Sequence, residues 1–168
     1  MYSLNVPVPR EVERLAEDLR STLLGFETIR ERHTLVCKRL GDDPPGGTAR
    51  LREQVRTALA GAPAFEVRVS AIDYFERPPL GEGPVVYLAV DSPGLRRIHR
   101  KLLPEFSAVA AFEGDDYVPH VTLARGGDTE AARAVADREI DPVSWTVSRL
   151  QLWDATYEEP VAEFSLPA

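Results

Sequence analysis

Cysteine, lysine and long apolar runs are scarce in this chain of 168 residues. Cys37 is the single cysteine, which excludes an internal disulfide and a cysteine-rich zinc site. No apolar run approaches the roughly 20 residues that a membrane helix needs. The first residues lack the basic and apolar regions of a signal peptide. We therefore expect a cytoplasmic protein that does not attach to a membrane.

Lysine is so rare that nearly all the positive charge is carried by arginine. Lys38 and Lys101 are the only lysines, and the formal net charge is −7. An acidic, lysine-poor composition resembles that of proteins from salt-accumulating halophiles, in which high net charge maintains solubility, and we hypothesise such an origin. The negative charge also disfavours broad, non-specific binding to a polyanion. A nucleic-acid substrate would have to be held locally.

Hydrophobic periodicity predicts two successive sets of alternating strands and helices. The first half has the order β-α-β-α-β and the second the order β-α-β-α-β-β. Ser92 and Asp128 are predicted helix N-caps in the second half, and Thr48 in the first. The predicted strands cover residues 2–8, 33–39, 65–71, 85–90, 120–125, 143–153 and 161–166, and the first helix covers 10–24.

The two halves repeat the same order of elements, and the third element of each contains a histidine close to a threonine. These pairs are His33-Thr34 and His120-Val121-Thr122, about half the chain apart. We interpret the pattern as a duplication within one domain, residues 1–168, with lobes drawn from residues 1–80 and 81–168. Each lobe would offer one strand to a common cleft.

The segment around His120 has the residue types that phosphate chemistry requires. Residues i and i+2 of a strand project to the same side, so His120 and Thr122 would face the cleft together. An imidazole transfers protons near neutral pH, and a hydroxyl donates a hydrogen bond to a phosphoryl oxygen. Arg125, at the end of the same strand, could pair with a phosphate.

The segment Pro119-His-Val-Thr-Leu-Ala-Arg125 resembles the second signature of the two-histidine phosphoesterases, in their 2′-5′ RNA ligase and RNA cyclic phosphodiesterase branch. The order of elements from residue 65 to residue 99 is also similar to that branch. The resemblance implies an α+β bilobal fold, with two mainly antiparallel sheets, flanking helices and a central cleft where the two motifs face each other. It also implies metal-independent and cofactor-free cleavage or formation of phosphodiesters. The implied substrates are 2′,3′-cyclic phosphate termini of RNA or a related cyclic nucleotide, and we expect a monomer.

The first motif departs from the family pattern, which separates histidine and threonine by one residue. Here His33 and Thr34 are adjacent, so in a regular strand they would face opposite sides. Three arrangements remain open. A bulge could restore the pair, or His33 could act in the cleft without its threonine. Alternatively, Arg32 could occupy the catalytic position, where it would bind phosphate without transferring a proton.

These observations lead to two functional hypotheses. In the first, the protein is an enzyme in which His33 and His120 are catalytic. The phosphate would be held by Thr34, Thr122, Arg32 and Arg125. In the second, the protein is a non-catalytic module that binds a nucleotide or RNA end in the same cleft. His99, on a predicted helix, is interpreted as a packing residue, and the three histidines lack metal-ligand spacing.

Overall fold

The computed structural model describes residues 1–168 and contains four α-helices and nine β-strands. The helices are α1 (Arg10–Leu19), α2 (Gly47–Leu59), α3 (Pro93–Leu102) and α4 (Thr129–Ala136). The strands are β1 (Tyr2–Val6), β2 (Thr28–Ile29), β3 (Leu35–Gly41), β4 (Phe65–Phe75), β5 (Val85–Asp91), β6 (His120–Arg125), β7 (Val143–Val147), β8 (Arg149–Asp154) and β9 (Glu159–Ser165). None of the helices combines the length and the apolar composition needed to cross a membrane.

The strands form one curled antiparallel sheet in the order β7-β4-β5-β6-β3-β1-β8-β9, and the short β2 pairs with β6. The amphipathic helices bury apolar stripes, as α1 does with Val12, Ala16 and Leu19. The α+β class, the antiparallel pairing and the flanking helices are confirmed. The two predicted sheets are halves of one continuous sheet.

The two halves of the sheet meet at a narrow join between β3 and β6. Only Leu35 and Val121 are in register across this join, and both side chains are fully buried. Each half is paired much more extensively within itself. The join therefore places the middle of the sheet, and the residues on either side of Leu35 and Val121, at the boundary between the lobes.

The lobes are not the two halves of the sequence. Strand β4 belongs with β5, β6 and β7, whereas the C-terminal β8 and β9 lie beside β1. A boundary near residue 80 is therefore corrected: the short connection after β4 makes it the antiparallel neighbour of β5, as consecutive strands usually are. The predicted strand 143–153 is divided at Ser148 into two strands, because its two parts belong to different lobes. Its first part pairs with β4 and its second with β1.

The predicted caps are correct for two of three helices. The Ser92 hydroxyl accepts a hydrogen bond from the Leu95 amide, and the Asp128 carboxylate accepts one from the Glu130 amide. Helix α2 instead begins one residue before Thr48, and its cap is Gly46, whose φ of 83° is the left-handed conformation that glycine adopts readily. The Thr48 hydroxyl is hydrogen-bonded to that of Tyr2.

A buried ion pair attaches the long connection between α3 and β6 to β3. The Lys38 ammonium donates to the Glu113 carboxylate at 2.5 Å and to the backbone oxygens of Arg39 and Ser107. The other Glu113 oxygen accepts from the Arg39 amide. Both charged side chains are almost fully buried, so each neutralises a charge that would otherwise be strongly destabilising in the interior.

We expect Lys38→Met to lower the free energy of unfolding by about 3–5 kcal/mol, because it leaves the Glu113 carboxylate buried without its counter-ion. Urea denaturation monitored by circular dichroism measures the change. Arg56→Ala, which removes an exposed pair with Glu53, is the control and should lower it by less than about 1 kcal/mol. Equal stability of the Lys38 variant and the parent would contradict this account of the connection.

Candidate functional site

Strand β6 presents His120 and Thr122 to the side of the sheet away from the core. Val121 and Leu123, which alternate with them, are fully buried, whereas His120 and Thr122 are half-buried. This alternation is the one predicted from the sequence, and it follows from the two-residue period of a strand. The imidazole and the hydroxyl therefore lie on the same side of β6; Thr122 lines the cleft between the lobes, and His120 lies two residues before it along the strand.

The join between the lobes brings Thr34 opposite Thr122. Because Leu35 pairs with Val121 in an antiparallel register, the residue before Leu35 lies across from the residue after Val121. The two threonines line one cleft together with Arg30 and Arg32. Two hydroxyls and two guanidiniums, contributed by opposite lobes, thus converge on a single volume.

His33 points to the opposite side and does not enter this cleft. Its Nδ1 lies 2.5 Å from a carboxylate oxygen of Glu13 on α1, and only 9% of its side chain is exposed. Residues 32–34 precede β3 and yet continue its alternation of sides, since Leu35 is buried, Thr34 is exposed and lines the cleft with Arg32, and His33 is turned to α1. Of the three arrangements left open by the sequence, the observed backbone matches the one in which Arg32 and Thr34 share a side.

Strand β3 does contain a bulge, but beyond the motif. Asn5 pairs with Val36 and Leu4 pairs with Lys38, so Cys37 is the extra residue. The bulge turns the Lys38 side chain into the core and places Arg39 opposite Ser3, which lines the cleft. Arg39 therefore lies on the cleft side of β3, but its guanidinium lies over the Phe112 ring, 4.8 Å from the centroid, and 3.9 Å from the Glu113 carboxylate, and it does not line the cleft with Arg30 and Arg32. Strand alternation alone would have assigned it to the core.

The environment of His120 favours its neutral form. Nδ1 lies 2.6 Å from the Val118 carbonyl, which can only accept, so Nδ1 carries the proton and Nε2 has the lone pair. Burial lowers the pKa of His120, the charges of Arg39 and Arg125 lower it further, and the hydrogen bond to Val118 opposes them. The rings of Phe75 and Tyr87 lie 5.3 and 5.2 Å from the imidazole and restrict its orientation. The histidine is thus arranged as a proton acceptor at neutral pH.

Arg32 is held by the turn between β8 and β9. Its Nη1 donates to the Glu158 carbonyl at 2.5 Å and lies 3.8 Å from the Glu158 carboxylate. The guanidinium also lies over the Trp153 ring, 5.5 Å from its centroid. Trp153 and Glu158 both line the cleft. Because more than half of each charged side chain is exposed, the ion pair is weak and an anionic ligand can displace it.

Arg125 and His99 have other partners. Nη1 of Arg125 donates to the carbonyls of Leu80 and Glu82, so this arginine holds the loop between β4 and β5 and does not line the cleft with Thr122. His99 is buried, donates from Nδ1 to the Cys37 carbonyl and accepts at Nε2 from the Gly114 amide. It also stacks on Tyr117 at 3.9 Å between centroids, as expected of a packing residue.

This arrangement can bind a phosphate and transfer one proton. Guanidiniums and hydroxyls are the groups that hold phosphoryl oxygens, and His120 is the only histidine on the cleft side. The structure contains no group of three or more His, Cys, Asp or Glu side chains that could hold a metal ion. A second depression, along α1, is lined by the charged Arg10, Glu13, Arg14 and Glu17, with no apolar wall and no histidine.

The fold is shared with several solved structures. E. coli LigT complexed with 3′-AMP superposes with a TM-score of 0.72 at 16% identity, covering 99% of this chain and 98% of that one. A protein described as a phosphoesterase gives a TM-score of 0.68 at 18% identity, covering 99% and 98%. The protein TT0787 of Thermus thermophilus gives 0.66 at 18% identity, covering 98% and 97%. At such identities the likeness defines the class of fold.

The sequence itself then identifies the family. The model of the 2′-5′ RNA ligase superfamily matches residues 7–157, and the chain belongs to that superfamily. No curated protein matches the chain at a significant level. The matched region contains both motif segments, around Thr34 and around His120.

We expect the His120 imidazole to titrate below its ordinary pKa of about 6.5, because burial and two arginines disfavour its charged form. Arg39→Gln should raise the midpoint, since it removes one of these positive charges. Proton–carbon NMR over a pH series measures both, with His120→Asn to assign the signals and Arg52→Gln as a remote control. A midpoint that stays constant or falls in the Arg39 variant would contradict the electrostatic role of that arginine.

Proposed function

We propose that this chain binds the phosphate-bearing end of an RNA, or a nucleotide, in the cleft between its two lobes. The observation that carries the proposal is the convergence of Arg30, Arg32, Thr34 and Thr122 on one open cleft. Membership of the 2′-5′ RNA ligase superfamily supports it. LigT structures complexed with 3′-AMP and with ATP support nucleotide binding by this fold.

The charge distribution supports local recognition of a phosphate. The chain has a net charge of −7, yet Arg30 and Arg32, from the segment before β3, lie beside the two threonines. A guanidinium can make two parallel hydrogen bonds to a phosphate, and the threonine hydroxyls can donate to its remaining oxygens. The ligand would replace the exposed Glu158 carboxylate beside Arg32.

Proton transfer in the cleft rests on His120 alone. Arg32 occupies the side of the cleft where a second imidazole would be needed, and a guanidinium keeps its proton at neutral pH and so acts there as neither an acid nor a base. His33 remains paired with Glu13 on the other face. This asymmetry favours binding as the primary function of the site, with Thr122 and His120 contributed by one lobe and Thr34 and Arg32 by the other.

A metal-independent cyclic phosphodiesterase, with reverse 2′-5′ ligation as its counterpart, is the second candidate. The lone pair on Nε2 of His120 favours it, because a neutral imidazole can take the proton of an attacking water. The same imidazole, now charged, would then protonate the departing ribose oxygen. Arg32, Thr34 and Thr122 would stabilise the charge that builds on the non-bridging oxygens.

Three further expectations stay predictions: a cytoplasmic location, a monomeric state and adaptation to high salt. The phosphate-binding role of Arg125 also stays a prediction. It would require the guanidinium to leave the carbonyls of Leu80 and Glu82.

We expect the parent protein to bind a short RNA that ends in a 2′,3′-cyclic phosphate. Arg32→Ala should weaken this binding at least ~10-fold, because it removes charged hydrogen bonds worth about 1.5–3 kcal/mol each. Fluorescence anisotropy at fixed salt measures the affinities. Arg52→Ala, on the exposed face of α2, changes the net charge equally and should have less than about a twofold effect. An equal effect of both variants, or no binding by the parent, would refute the proposed site.

If the second candidate is correct, the cyclic phosphate is opened in the presence of EDTA, and His120→Ala lowers kcat at least ~10²-fold by removing the only proton-transfer group. Phosphorus NMR follows the ring opening. His33→Ala is the matched histidine control and should retain turnover, because its ring faces Glu13. Binding without turnover in the parent would reject catalysis and leave the binding function intact. Loss of turnover in the His33 variant alone would reject the assignment of His120.

A further inference from the structure

Glu158 is the only acidic residue that lines the cleft, and it lies beside an arginine that the ligand needs. Its carboxylate lies 3.8 Å from Nη1 of Arg32, and its carbonyl accepts a hydrogen bond from the same nitrogen at 2.5 Å. Arg30 is the other charged residue of the cleft wall. The two guanidiniums and the one carboxylate therefore leave the cleft wall with a single net positive charge.

The backbone of the turn between β8 and β9 holds Glu158 in this place. Its φ of 53° lies in the left-handed region, which residues other than glycine rarely adopt. In this conformation the carbonyl and the carboxylate of one residue both approach the same guanidinium. The turn is also held at its start, where the Thr156 amide donates to the Asp154 carboxylate at 2.9 Å. A residue in a strained conformation at a binding cleft is a frequent sign of a function there.

A phosphate that takes the place of the carboxylate at Arg32 does not remove the negative charge of the turn. The hydrogen bond to the Glu158 carbonyl keeps the residue beside the guanidinium, so its carboxylate stays close to the bound phosphate. The repulsion between them grows in proportion to the charge of the phosphate. A phosphodiester, cyclic or open, carries one negative charge near neutral pH, whereas a terminal phosphate monoester carries about 1.5–2.

We propose that Glu158 is a specificity-determining residue, which shifts the preference of the cleft from doubly charged phosphate monoesters towards singly charged phosphodiesters. This inference rests on the proposed phosphate-binding function and names the charge state of the phosphate that the cleft favours. Two unit charges roughly 6 Å apart in water repel each other enough to weaken binding about threefold, and a doubled charge weakens it about tenfold. The carboxylate therefore discriminates between the two ligands by about threefold.

The test compares cytidine 3′-monophosphate with its methyl ester, which has the same base and sugar but one negative charge fewer. Calorimetric titration at low salt, at about pH 7.5, measures both affinities with the monoester in its doubly charged form. In Glu158→Gln the affinity for the methyl ester should rise about threefold and that for the monophosphate about tenfold. Glu158→Asp keeps the charge and should keep the affinity ratio of the parent.

Glu159→Gln is the matched control, because it removes the same charge one residue further along, from an exposed side chain outside the cleft. It should change the ratio of the two affinities by less than about 1.5-fold. The effect of Glu158→Gln on the ratio should disappear in about 1 M KCl, where the Debye length falls to about 3 Å. A rearranged turn would change the ratio at any salt concentration.

Both neutral variants should fold, and Glu158→Gly repeats the measurement with a residue that adopts a positive φ readily. Equal gains for the two ligands in Glu158→Gln and Glu158→Gly, no gain for either ligand, or a changed ratio that persists at high salt would overturn the role of Glu158 while phosphate binding stands. If the parent binds neither cytidine ligand nor the short RNA, the proposed function fails and this inference fails with it.

Discussion

The register of β3 against β6 determines which side chains reach the cleft. A single buried pair, Leu35 with Val121, joins the two halves of the sheet, and every neighbouring residue takes its side from that pair. Thr34 and Thr122 are the residues next to this pair, so their side chains point away from the core and face the cleft. His33 lies on the same side as Leu35 and therefore faces α1. A shift of one residue would exchange the two faces and bring His33 in place of Thr34.

The cleft combines cationic groups with one proton acceptor. Arg30 and Arg32 line it from the segment before β3, and His120 lies on the same side of β6 as the lining residue Thr122. The pKa of His120 is lowered by burial and by the charges of Arg39 and Arg125. A neutral histidine beside several guanidiniums is suited to accept a proton near a bound phosphate.

Buried polar groups have two different roles in this molecule. Lys38 and Glu113 neutralise each other in the interior and attach the connection before β6 to β3. Asn5 Oδ1, in contrast, is buried without a protein partner. The ion pair is satisfied within the chain, whereas the unpaired amide oxygen is a cost that the rest of the fold offsets.

Local patterns in the sequence determined most of the elements and one side of the site. The alternation of residues 120–123 predicted the faces of His120 and Thr122, and Ser92 and Asp128 marked two helix starts, because these features depend on neighbours a few residues away. The second motif also indicated the family. Tertiary structure alone decided the rest: that β8 and β9 pair with β1, that Cys37 forms a bulge which turns Arg39 to the cleft, and that Glu13 pairs with His33. Each depends on contacts between distant segments, whose geometry no local periodicity encodes.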